Sequence, residues 1–77
     1  MEPRIAIDPA IHFGKPCVAG TRITVEAVIE LIEAGLSFEQ IRKDYHSELT
    51  DKDLKACVRF ARNVLVAEEI HLEQVPS

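Results

Sequence analysis

The chain has 77 residues, 47% of them apolar, and its 13 acidic and 9 basic side chains leave a net charge of −4. Such a length supports one small domain, near the lower limit at which a hydrophobic core alone holds a fold. No apolar run approaches the ~20 residues that cross a bilayer, and the first residues lack the basic start and apolar stretch of a signal peptide, so a cytoplasmic protein without a membrane partner is expected.

With no Trp, one Tyr and three Phe, the core must come mainly from Ile, Val, Leu and Ala. Cys17 and Cys57 lie in no Cys-x-x-Cys or Cys-x-His pattern and read as small apolar fillers. His12, His46 and His71 lack the spacing that aims two imidazoles at one metal. No phosphate loop follows a strand, no nucleophile elbow is present, and no carboxylate pair sits alone in an apolar stretch. The expectation is a non-enzymatic protein without cofactor or metal.

Residues 1–23 hold three of the four Pro and two of the three Gly, which disfavours helix. Alternation over Arg4-Ile5-Ala6-Ile7-Asp8 predicts a short strand, with Cys17-Val18 and Arg22-Ile23 as further extended pieces between turns. From Thr24 the period becomes helical: Val25, Val28, Ile29 and Ile32 share one face, and Glu26, Glu30 and Glu33 gather opposite. Thr24 suits the N-cap and Gly35 a left-handed C-terminal residue, so this helix should end near Ala34.

Ser37-Phe38-Glu39-Gln40 is a capping box opening a second, short helix to about Tyr45, with Phe38, Ile41 and Tyr45 on one face. Thr50 should cap a third helix whose first turn holds Asp51 and Asp53 against the positive end of the dipole. Neither Pro nor Gly interrupts residues 51–69. Leu54, Val58, Ala61 and Leu65 are assigned its core stripe, and Lys52, Lys55, Arg59 and Arg62 form one basic row beside it. A polar tail is expected over residues 70–77. The predicted fold is therefore mainly α, a three-helix bundle of helix-turn-helix type over residues 24–69 with a short N-terminal β appendage over residues 1–23.

The string GKPCVAGTRITVEAVIELIEAGLSFEQI, followed by DYHSELTDKDLKACVRFA, resembles the bacterial domain-of-unknown-function family numbered 433 over roughly Arg4 to Ala61. Its most specific parts are Gly14-Lys15-Pro16, Gly20-Thr21-Arg22, Ala34-Gly35-Leu36-Ser37 and Leu49-Thr50. The chain departs from the family pattern at Ala19, where a basic residue is frequent, and at Ser47, where Pro is usual. The resemblance implies a homeodomain-like fold and an antitoxin-like protein that neutralises a PIN-like ribonuclease toxin and represses its own promoter. It brings no catalytic residues.

Three surfaces are candidates for these partners. For operator DNA they are the row Lys52, Lys55, Arg59 and Arg62, with Arg42 and Lys43 on the second helix and Arg22 before the first. Against this, a charged row is also the ordinary solvated side of an amphipathic helix, and Asp51 and Asp53 would repel phosphate at the end that normally meets bases. For the toxin, whose RNA substrate demands a basic surface, the acidic C-terminal run Glu68, Glu69, Ile70, Leu72 and Glu73 is the candidate. For a homodimer, the candidates are Ile5, Ile7, Ile11, Phe13 and Val18, since so short a strand needs cover from the bundle or from a second copy. The Gly14–Arg22 string also admits a phosphate-loop reading, although Pro16 has no amide to donate. Tyr45 and Phe60 are read as core rather than as base-stacking residues.

Overall fold

The computed structural model describes residues 2–72, with the backbone alone over 68–72. In chain order it contains β1 (Ile5–Ala6), a one-turn segment at His12–Gly14, β2 (Cys17–Val18), α1 (Val25–Glu33), α2 (Phe38–Asp44) and α3 (Asp51–Leu72). The chain is thus mainly α, with three helices separated by turns and a two-stranded N-terminal sheet, as expected from the sequence.

Each helix begins where a side chain relieves its first unpaired amides. At α1 the Ala27 amide donates to Thr24 Oγ1 at 3.0 Å. At α2 the Gln40 amide donates to Ser37 Oγ and the Ser37 amide to Gln40 Oε1, closing the predicted box at 3.2 and 2.9 Å. At α3 Thr50 and Asp53 form the same reciprocal arrangement: the Asp53 amide donates to Thr50 Oγ1 at 3.2 Å and the Thr50 amide to Asp53 Oδ2 at 2.9 Å. The other end of α1 closes on Gly35, whose φ of +96° only a residue without Cβ adopts at no cost. Its amide donates to Ile32 O and that of Leu36 to Leu31 O, so two of the last carbonyls are satisfied and the chain turns at once into α2.

The strands pair antiparallel, Ile5 opposite Val18 and Ala6 opposite Cys17, and are shorter than the alternation over Arg4–Asp8 predicted. The Ile23–Thr24 segment supports the far side of β2: the Val18 amide donates to Ile23 O, and Cys17 bridges to Thr24. Between the strands the backbone turns left-handed, with φ +49° at His12, +56° at Phe13 and +85° at Gly14. For the two residues bearing a Cβ this costs about 1–2 kcal/mol each.

Nine residues build the core cluster: Ile5 and Val18 from the sheet, Val25 and Val28 from α1, Ile41 from α2, Leu49 from the following turn, and Leu54, Ala56 and Cys57 from α3. Ile29, Ile32, Phe38 and Phe60 pack around it. α1 packs on both α2 and α3, and β1 packs on α3. Both thiols are buried and unpaired, and burial, with the Asp53 charge adding, pushes Cys57 up to about 11.

The facing of α3 differs from the predicted stripe. Leu54 is wholly buried, but Val58 is 40% and Leu65 58% exposed, and the buried side runs through Leu54, Ala56, Cys57, Phe60 and Ala61. The reason is steric. Ala56 and Cys57 are small enough for the sheet and α1 to approach closely, which the bulkier stripe through Val58 does not allow. Tyr45 is likewise corrected from core to surface at 57% exposure, because α2 stops at Asp44 and the Tyr45 backbone leaves helical geometry, φ −125° and ψ −53°. The helix α3 itself continues to Leu72, past the predicted end at residue 69, whereas residues 73–77 of the expected tail lie outside the described residues.

Asp53 joins α3 to the sheet. Besides capping, it accepts from Arg4 Nη1 at 3.0 Å. Burial raises its pKa, but the Thr50 amide and the Arg4 guanidinium outweigh that and hold it below the ordinary 3.8.

Two outcomes follow from this packing. Leu54→Asp should unfold the domain, since an unpaired buried charge costs several kcal/mol against a total of about 5–15, whereas Val58→Asp should stay within about 0.5 kcal/mol of the parent; thermal melts by circular dichroism compare them. Asp53→Asn should cost about 1–2 kcal/mol at pH 7. A depressed carboxylate stabilises fully above its unfolded pKa and loses that contribution as pH falls through the folded value, so the gap should close below pH ~4. Urea unfolding at neutral pH and at acid pH measures both sides of that window.

Candidate binding surfaces

The basic row lies on the side of α3 away from the core, with Lys52, Lys55, Arg59 and Arg62 all exposed. Two of the DNA-binding candidates are already engaged. Arg59 Nε donates to Glu2 Oε2 at 2.9 Å, which lowers the Glu2 pKa and raises that of Arg59. Arg42 Nη1 donates to Asp51 Oδ1 at 2.8 Å, joining α2 to the first turn of α3. Solvent screens pairs so exposed, and they contribute little to stability. Among the described residues, Lys43, Lys52, Lys55 and Arg62 enter no ion pair. Arg22 does not join the row: it lines a separate cavity of about 470 Å³ beside the sheet, with Asp8, Ile11 and Thr21.

The Gly14–Arg22 string is committed to the fold rather than to an anion. The amides of Lys15, Val18, Ala19 and Thr21 donate to the carbonyls of His12, Ile23, Arg4 and Val18, and Lys15 Nζ donates to Glu26 at 3.0 Å. A phosphate cradle needs converging free amides, and these are taken. Of the dimer candidates, Ile5 and Val18 are buried in the chain's own core, Ile11 is half-buried, and Ile7 and Phe13 are exposed. Phe13, at the left-handed turn, is 100% exposed. The toxin-binding candidates Glu68, Glu69, Ile70 and Leu72 fall on the last turns of the α3 backbone, and Glu73 lies outside the described residues.

A further surface escaped the sequence reading. α1 and α3 border an open groove of about 580 Å³, floored by Pro16, Ile29, Phe60, Val64 and Leu65 and rimmed by Glu26, Glu30 and Glu33. Arg62 through Ala67 are all exposed, so α3 runs beyond the bundle with Val64, Leu65 and Val66 facing water in succession. Two signals were available. The acid row on α1 recurs at i, i+4 and i+7, and three consecutive apolar residues span a wider arc of α3 than a core on one side covers. Only the fold brings them together.

Among the described residues no group of three His, Cys, Asp or Glu is placed to hold a metal ion, and no helix is long and apolar enough to cross a membrane. Two surfaces stand out among the described residues: an acid-rimmed apolar groove on one side of α3 and a cationic row on another.

No curated protein and no solved structure matches the chain. The family described as Protein of unknown function (DUF433) matches residues 5–61, the stretch from β1 through the buried half of α3. The chain belongs to that family.

Proposed function

We propose that the protein is a non-catalytic, cytoplasmic binding module of the antitoxin kind, which covers a PIN-like ribonuclease toxin and carries a secondary surface for operator DNA. The observation that carries this reading is the uncovered apolar length of α3 beside the acidic rim of α1. Monomeric proteins seldom leave contiguous apolar surface in water, and where they do it marks a site of association. A ribonuclease must present cations to its RNA, and glutamates around an apolar floor suit such a surface by charge complementarity. Co-expression with the neighbouring reading frame tests it: a ribonuclease-class partner should co-purify and lose its RNA-cleaving activity in the complex.

The cations Lys52, Lys55 and Arg62, in no ion pair among the described residues, favour a second reading, a stand-alone helix-turn-helix regulator. With Arg59 already held by Glu2, those three are the better test of phosphate contact. Lys55→Glu with Arg62→Glu should abolish retardation of operator DNA and leave co-purification of the toxin intact; unchanged retardation excludes this face.

The homodimer belongs to the same proposal, with Ile7, Ile11 and Phe13 at the contact, since a wholly exposed Phe on a strained turn gains most from cover. Sedimentation at tens of micromolar should give a dimer for the parent chain and a monomer for Phe13→Asp.

A further inference from the structure

We infer that the groove between α1 and α3 seats a basic amphipathic helix of the protein partner, whose Lys and Arg pair with Glu30 and Glu33 while its apolar stripe covers Ile29, Val64 and Leu65. The inference rests on the binding reading for the existence of that partner and adds the chemistry of what docks.

The shape argues for a helix. Both walls are helices whose backbone amides and carbonyls bond along their own axes, so an extended segment would find no edge to pair with and would leave its backbone unsatisfied in an apolar trough. A helix arrives with its backbone paired and packs its side-chain ridges between those of the walls. From Glu26 to Glu33 the rim rises through seven steps, about 10 Å at 1.5 Å per residue. That is two helical turns, which an incoming i, i+4, i+7 apolar stripe matches.

The charge argues for a basic one. Three exposed carboxylates line the α1 side, and the single cation among the described lining residues, Lys15, pairs with Glu26 at 3.0 Å and leaves Glu30 and Glu33 to an incoming chain. The cationic row of α3 lies on the far side of that helix. Nucleic acid is repelled by such a rim. A second copy of this chain offers the row Lys52, Lys55 and Arg62, but setting that row in the groove joins two different surfaces, and such head-to-tail contacts make rings or open filaments rather than a two-fold dimer.

The probe is a fluorescein-labelled amphipathic peptide of Leu and Lys, long enough for four helical turns, with a Leu and Glu peptide of the same apolar pattern as control. The Leu/Lys peptide should bind the full chain saturably in fluorescence anisotropy, and the control should not. Leu65→Asp, and separately Glu30→Lys with Glu33→Lys, should each weaken binding about tenfold or more. All three positions are exposed, and circular dichroism verifies that the variants remain folded. Equal binding of the two peptides, or unaltered binding by both variants, overturns the inference. So does a concentration-dependent polymer that the peptide fails to dissolve. A ribonuclease-class partner that co-purifies as firmly with Leu65→Asp as with the parent chain also sinks the groove while sparing the binding reading. Peptide binding with the expected variant losses, in the absence of any co-purifying partner, upholds the groove and removes that reading.

Discussion

The carboxylate of Asp53 holds the two parts of this fold together. One oxygen accepts the Thr50 amide that starts α3, and the other accepts the Arg4 guanidinium that fastens β1 to the side of that helix. A strand pair two residues long has no stability of its own, so the appendage exists because α3 gives it something to lie on. In return Ile5 and Val18 complete a core that the three helices alone would leave open. In so small a domain the sheet is therefore part of the core, and the helix that receives it cannot turn without breaking the cap and the ion pair together.

Local devices were legible because they depend on neighbours in sequence. Thr24, Ser37 with Gln40, Thr50 and Gly35 each satisfy groups within a few residues of themselves, and each helix starts or stops where they stand. The facing of α3 was not legible in the same way. Two apolar stripes share Leu54 and Ala61, one adding Val58 and Leu65 beside them, the other adding the small Ala56 and Cys57. Size favours the first by hydrophobicity alone. Close packing under the sheet selects the second, and that constraint arises from residues some fifty positions away. Tyr45 failed for a related reason, since helical spacing has meaning only while the helix lasts.

The candidate surfaces divide along the same line. The cationic row was readable as a periodic pattern, but not that Glu2 and Asp51 would claim Arg59 and Arg42. The groove was invisible because its two walls, α1 and α3, are separated in the chain by α2. Once α3 is turned to its true facing, cations and the acid-rimmed groove fall on different sides of one helix. A chain with a net negative charge thus keeps a locally positive surface.

The two buried thiols carry a consequence of another kind. Cys17 sits in β2 and Cys57 in the packed half of α3, both shielded from solvent. A thiolate, not a thiol, attacks an alkylating reagent, and at neutral pH Cys57 in place is almost entirely protonated as well as covered. Labelling therefore waits for the structure to open, and each sulfur becomes a clock for its own region. Equal rates at the two positions mean that lifting the sheet uncovers both sulfurs; a slower Cys57 means that α1 still covers it after the appendage has lifted away.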